Sequence, residues 1–273
     1  MNQHNDKGVA LITGASSGIG ATYADRLARR GYDLVLVARD APRLEALATR
    51  LRADTGISTE VLRADLTQAA DLASVEQRLR SDAAITMLVN NAGVAAGGPL
   101  AGADLARLEA MIDLNVVAVT RLASAAASNF AARGAGVLIN LSSVLALAPE
   151  QFNAVYSGTK AYVLNLSLPL HQELSPSGVQ VQVVLPGATR TAIWAGAGID
   201  VASLPPSMLM EVEEMVDAAL VGLDRRELVT IPSLPDSADW EAYPAARLHL
   251  GPNLSRQHAA DRYKSADHAA ASA

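Results

Sequence analysis

Tyr156 and Lys160 stand four apart in NAVYSGTKAYVLNLSL, a run with helical patterning. That spacing puts a phenol and an ammonium on one helix face, about one turn apart. A phenol beside a cation is a tunable proton donor. Tyrosine ordinarily titrates near about 10, and a neighbouring positive charge favours the phenolate. Alone, such a pair is usually two solvated neighbours, so its meaning depends on what stands around it. Upstream lie Ser142 and Ser143, at the end of the apolar run Gly136 to Leu141, and further upstream Asn115 in DLNV. Only Lys7, Lys160 and Lys264 among the 22 basic residues are lysines, which makes Lys160 a less casual surface charge.

A second chemical signal opens the chain. The apolar run Val9 to Thr13 leads into GASSGIG and then a helical pattern from Ala21 to Arg30. Strand, glycine-rich turn and helix in that order make a phosphate site. Gly14, Gly18 and Gly20 permit a tight turn and close backbone approach, and the helix N-terminus favours an anion. The spacing is G-x-x-x-G-x-G rather than the standard G-x-G-x-x-G. The next apolar run, Asp33 to Ala38, ends at Arg39. In dinucleotide folds an acidic residue there binds the 2′-hydroxyl of NAD, whereas Arg accommodates the 2′-phosphate of NADP, so Arg39 points to NADP.

These residues need a scaffold, and the chain supplies an alternation of strands and helices. A helix from about Pro42 to Ala53 is followed by a strand near Glu60 to Arg63 ending at Ala64-Asp65-Leu66. Then come a helix over Ala69 to Arg80, the strand Thr86 to Val89 running into Asn90-Asn91-Ala92-Gly93, and a helical region Leu105 to Arg133. After the Tyr156 helix the strand Val179 to Leu185 delivers Pro186-Gly187, with a helix at Met208 to Leu223 and a last strand at Glu227 to Ile231. The pattern predicts an α/β, single-domain Rossmann fold: a doubly wound, mostly parallel sheet with helices on both faces. The polar and glycine signals all fall just after strands, where open α/β sheets bind ligands. Residues 188–210, with Ile193, Trp194 and Ile199, read as a substrate lid within a domain spanning 1–231. Residues 232–273 read as an extension packed on the same domain, with Trp240 and Tyr243 able to cap the pocket, meet another subunit or pack locally, and a frayed end.

Composition narrows the function. The 273 residues are half hydrophobic and 18% charged, enough for a full core. With no cysteine, thiolate nucleophiles, disulfides and cysteine metal sites are excluded, and a cytoplasmic location is compatible. A net charge of -6 without a basic run argues against nucleic acid and anionic membranes as partners. The polar start MNQHNDK lacks signal-peptide character, and no uninterrupted apolar run approaches bilayer-spanning length. A small molecule is the expected partner, and no metal is expected.

Taken together, Thr13 to Gly20 (TGASSGIG), Asn90 to Gly93 (NNAG), Asn115, Ser143 thirteen residues before Tyr156, and Tyr156 to Lys160 (YSGTK) resemble the short-chain dehydrogenase/reductase family over roughly residues 8–231. The resemblance implies a ketone–alcohol oxidoreductase using NADP (NADPH) and a catalytic set of Asn115, Ser143, Tyr156 and Lys160. Tyr156 would donate the proton, Ser143 would bond the carbonyl oxygen, Lys160 would lower the tyrosine pKa and hold the ribose, and Asn115 would position a water. Ser142 competes for the serine role. Cofactor contacts are implied for Gly14, Ser16, Ser17, Gly18, Ile19, Gly20, Arg39, Asp65, Leu66, Asn91, Ala92, Gly93, Tyr156, Lys160, Pro186, Gly187 and Thr191. The family also implies a homo-oligomer, tetramer or dimer. Pro169, inside the helix after Lys160, should kink or end that helix and so alter the family's four-helix subunit interface. The segments Val144 to Phe152 and Ala188 to Met210 are mostly apolar, which suits an uncharged ketone or alcohol, with Arg190 able to bind a carboxylate instead. Two other readings share these residues: a non-catalytic NADP-sensing protein of the same fold, and a nucleotide-sugar epimerase or dehydratase, for whose substrate domain the chain has little room.

Overall fold

The computed structural model describes residues 7–263. Among them, seven strands form one parallel sheet in the order β3-β2-β1-β4-β5-β6-β7. The strands are β1 Val9–Thr13, β2 Asp33–Ala38, β3 Thr59–Arg63, β4 Ile85–Asn90, β5 Gly136–Leu141, β6 Val179–Val184 and β7 Val229–Thr230. Most read as continuous apolar runs because helices cover both faces, so neither set of alternating side chains meets water. Ala10, Ile12, Leu34, Leu36, Met87 and Val89 point into one core with α1 Gly18–Arg29, α2 Ala41–Thr55 and α8 Val212–Asp224. Their neighbours Leu11, Val35, Val37 and Leu88 point into the other, against α3 Ala69–Ser81 and α5 Val119–Arg133. The strand order reverses between β1 and β4, which opens a crevice at the carboxyl ends of the strands.

The long helical run expected at 105–133 is continuous but not uniform. It comprises α4 Leu105–Ile112, a π-helical segment Asp113–Ala118, and α5. By length and composition alone this 29-residue stretch would pass as a membrane span, although Arg107, Glu109, Asp113 and Arg121 interrupt its apolar run. Its buried side chains, Leu108, Met111, Ala118, Leu122 and Phe130 among them, pack against the rest of the chain. Pro169 does not end its helix: α6 runs Ala154–Leu174, five residues past it. Pro169 and Asn165, whose carbonyl loses its partner, both lie on the exposed face, where water can satisfy the freed acceptor. The last strand is two residues long rather than five.

Residues 188–210 are more ordered than a plain loop. A bridge pairs Thr189 with Met210, and between them lie the short α7 Ile193–Gly196 and 3-10 turns at Val201–Ser203 and Pro206–Met208. The chain divides into two compact units, one up to Pro232 and one from Ser233 on. The second holds α9 Ser237–His249, which has no buried residue and stacks Trp240 on Tyr243 with ring centroids 5.6 Å apart. The fraying expected at the C-terminal end falls outside the described residues.

Candidate active site

Strands β1 to β6 each deliver one part of the site at their carboxyl ends. At the end of β1, Thr13 Oγ1 accepts hydrogen bonds from the backbone N–H groups of Asn91 and Ala92, both 2.9 Å, and Asn91 Nδ2 donates to the Thr13 carbonyl at 2.8 Å. The glycine turn after β1 and the NNAG segment after β4 are thereby tied together. A Cβ on Gly20 would run into the Gly14 carbonyl and the Asn91 side chain, so only glycine lets α1 start this close to β1. The N-cap, Ser17, makes no side-chain capping bond, and no acidic residue sits in the first turn of α1. The amides there remain available to an anion, and the fit to a dinucleotide phosphate is good. Ser16, Ser17 and Ile19 are partly or fully exposed around that turn, and Thr191 lies against Gly18.

At the rim of β2, the exposed Arg39 reaches Asp65 at 4.0 Å, a long contact from which it can swing toward a phosphate. Burial would raise the Asp65 carboxyl, but hydrogen bonds from Thr67 and the nearby Arg39 outweigh it and hold the carboxyl below its ordinary range. Leu66 does not join this group; its side chain is buried in the core beside α3.

The proton-transfer residues converge from β5, α6 and the π-helical segment. Asn153 caps α6, its Oδ1 accepting from the N–H groups of Val155 and Tyr156 at 3.0 Å, while its Nδ2 donates to the Gly98 carbonyl at 2.8 Å. An Asn just before a helical run is a readable capping signal that the motif spacing did not use. Ser142 is committed elsewhere: its hydroxyl donates to the Lys160 carbonyl at 2.7 Å. Ser143 is the serine whose hydroxyl lies near enough to the Tyr156 phenol to draw its pKa down, and its Oγ accepts from the Leu145 N–H at 3.2 Å and lies 3.5 Å from the Pro186 carbonyl.

Lys160 is buried, donates to the Leu141 carbonyl at 3.0 Å, and holds its ammonium 5.7 Å from the Tyr156 ring centroid. Asn115, inside the π-helical segment, is gripped from both ends. Its Nδ2 donates to the Val94 carbonyl (2.9 Å) and Thr159 Oγ1 (3.1 Å), and its Oδ1 accepts from the Val94 N–H (3.0 Å). Asn115 Oδ1 and Lys160 Nζ both lie against Gly93.

Burial dominates the electrostatics here. It pushes the Tyr156 phenol up to about 12, with the nearby Ser143 hydroxyl pulling in the other direction, and it pushes Lys160 down to about 8. The expected lowering of the tyrosine pKa by Lys160 is therefore not realised in this arrangement, because removing water from the phenolate costs more than the neighbouring residues return.

Beside Tyr156 lies a cavity of about 490 Å³ lined by Gly97 to Pro99, Glu150 to Asn153 and Ala197 to Ile199. Phe152 joins it to the site: its ring meets Tyr156 edge-on at 5.5 Å and Trp194 edge-on at 6.4 Å. Trp194 Nε1 donates to the Thr189 carbonyl at 2.7 Å, and Arg107 of α4 donates to the carbonyl of Gly196. Arg190, a candidate carboxylate binder, is instead paired with Glu211 at 2.8 Å. Phe152, Asn153 and Arg107 were not singled out from the sequence; aromatic and polar residues near a motif carry no spacing signature of their own.

Known proteins share this arrangement of elements. A family profile described as short chain dehydrogenase matches residues 8–201. A short-chain dehydrogenase from Sphingobium yanoikuyae, solved in complex with NADPH, is 57% identical, with a TM-score of 0.91 over 94% of this chain and 100% of that one. The bulky-bulky ketone specific alcohol dehydrogenase from Comamonas testosteroni is 48% identical, with a TM-score of 0.87 over 94% of this chain and 99% of that one. The very-long-chain 3-oxoacyl-CoA reductase of Podospora anserina is 32% identical over 235 residues, 83% of this chain and 67% of the relative. With its profile match over most of the sheet and its seven-stranded parallel core, the chain belongs to the short-chain dehydrogenase family.

Proposed function

We propose that this oxidoreductase interconverts a ketone and a secondary alcohol with NADP(H). The observation that carries the reading is the meeting of Ser143, Tyr156, Lys160 and Asn115 beside a phosphate-ready turn, with a cavity whose wall residue Phe152 packs on the Tyr156 ring. The cofactor, when bound, supplies the hydride for the carbonyl carbon. The turn from Gly14 to Gly20, with Asn91 to Gly93, would hold its phosphates and adenine side, and Pro186, Gly187 and Thr191 would flank the nicotinamide. Arg39 would take the 2′-phosphate.

The rest is the work of the chain. Ser143 and Tyr156 offer hydroxyls to the carbonyl oxygen, where negative charge grows in the transition state. With its phenol held near about 12, Tyr156 keeps its proton at neutral pH and has it ready to give. Lys160, largely protonated below about 8, faces the phenolate that forms. Asn115 fixes the backbone at Val94 beside Lys160 and steadies that end of the site. The relatives solved with NADPH and described as ketone-specific support this reading.

Two variants test it. Tyr156→Phe is expected to lower kcat for ketone reduction by at least about 100-fold while still binding NADPH; undiminished turnover would rule out the proton-donor role. Arg39→Ala is expected to weaken NADPH binding about tenfold or more and leave NADH binding nearly unaltered; an unchanged ratio of the two cofactors would overturn the NADP preference.

A further inference from the structure

The walls of the cavity beside Tyr156 carry one charged side chain, Glu150, in the 3-10 turn Pro149–Gln151. It is exposed at the rim and has no ion pair or hydrogen bond among the described residues. Of the arginines nearest in the chain to the cavity walls, Arg190 is neutralised by Glu211, and Arg107, which does not line the cavity, donates to the Gly196 carbonyl. Asp200, next to the lining residue Ile199, adds a second negative charge while capping the Ala202 N–H at 2.9 Å. No cationic side chain lines these walls, so none pairs there with the Glu150 carboxylate.

From this we infer that Glu150 is a specificity-determining residue that makes the cavity reject substrates carrying a carboxylate and favour ketones whose outer arm is neutral or cationic. The inference rests on the reading of the Tyr156 site as a ketone site. A carboxylate placed in the cavity shares it with a like charge and finds no guanidinium among the lining residues. A cation meets Glu150 and, on the same walls, the aromatic ring of Phe152, whose face attracts positive charge. Water reaches the rim, so the discrimination is moderate, about fivefold for one charge, and it weakens as salt screens it.

The test uses three benzophenones of one shape, bearing a para-methyl, para-carboxylate or para-aminomethyl group. Their Kd values are measured by calorimetry on the wild-type protein saturated with NADP+, so that no turnover intervenes, and on Glu150→Gln and Glu150→Lys. The wild-type protein is expected to bind the carboxylate about fivefold more weakly than the methyl compound and the aminomethyl compound at least as tightly. Glu150→Gln is expected to bring the carboxylate-to-methyl ratio near one, and Glu150→Lys to invert it. A ratio identical in all three proteins, a wild-type preference for the carboxylate, or no binding of any of the three would each overturn the inference. Failure of the wild-type protein to oxidise NADPH with the methyl compound would instead overturn the ketone-reductase reading, and the Kd ratios would still decide the role of Glu150.

Discussion

Tyr156 and Lys160 illustrate how one environment acts oppositely on an acid and a base: the same exclusion of water raises the phenol and lowers the ammonium. For Lys160 this has a consequence for stability. Its folded value of about 8 lies below the usual 10.5, so folding releases a proton between the two. The stability linked to this group is fully present above 10.5 and is lost as pH falls through about 8. Lys160→Met removes the buried charge and is expected to be more stable than wild type at pH 7, by on the order of 1–3 kcal/mol in urea denaturation. The gap should close above pH ~10.5, and ketone turnover should be lost. A less stable variant at pH 7 would mean that the bond to the Leu141 carbonyl outweighs the burial cost. At this scale the residue types were legible from their spacing, since YSGTK and Ser143 fall where a strand and a helix must deliver them. The thirteen-residue spacing already favoured Ser143 over Ser142; what it could not show is the reason, the side-chain directions that turn Ser142 to the Lys160 carbonyl and leave Ser143 beside Tyr156.

Among the elements, the segment 188–210 is held where backbone meets backbone. A Cβ on Gly97 would strike the Ala197 carbonyl, and that oxygen, unlike a flexible side chain, can yield only if the segment around α7 moves. Gly97→Ala is therefore expected to displace residues 193–199, raising KM for a bulky ketone several-fold more than it lowers kcat, which steady-state kinetics would reveal. An unchanged KM would show that the segment shifts at no cost. The irregular stretch at 188–210 was legible from loosened patterning, but its short helix and bridge were not, because turns this short carry weak periodicity. The same limit hid the π-helical segment. Its residues DLNVVA continue an ordinary three-and-four apolar spacing, and a wider turn leaves no mark in composition.

Across the whole body, alternation of strands and helices made the doubly wound sheet readable, while the ties between helices were not. Asp25 of α1 is one such tie. Burial alone would raise its carboxyl, but Arg29, Arg50 of α2 and Arg26 outweigh that and hold it at about 2. Arg26 continues to Asp217 of α8 at 2.6 Å, joining three helices on one face of the sheet. Because the folded pKa is depressed, this contribution is present above the ordinary carboxylate range and lost as pH falls through about 2. Asp25→Asn is expected to cost about 2–4 kcal/mol at pH 7 in urea denaturation, and much less near pH ~2. An equal loss at both pH values would assign the effect to packing instead. No spacing rule links positions 25, 50 and 217, so charge pairs between helices distant in sequence stay hidden until the sheet brings them together. The segment around Asn115 works at this largest scale too. Its apolar stripe, Leu108, Met111, Ala118, Leu122 and Ala126, would lie along one side of an ideal α-helix, yet the first two residues meet Tyr156 and Ala197 while the others meet the sheet. One wide turn sets the winding back by about a residue, roughly 100°. A single rod thus has two phases, one aimed at the chemistry and one at the foundation, and a one-residue deletion between them would aim both at the same wall.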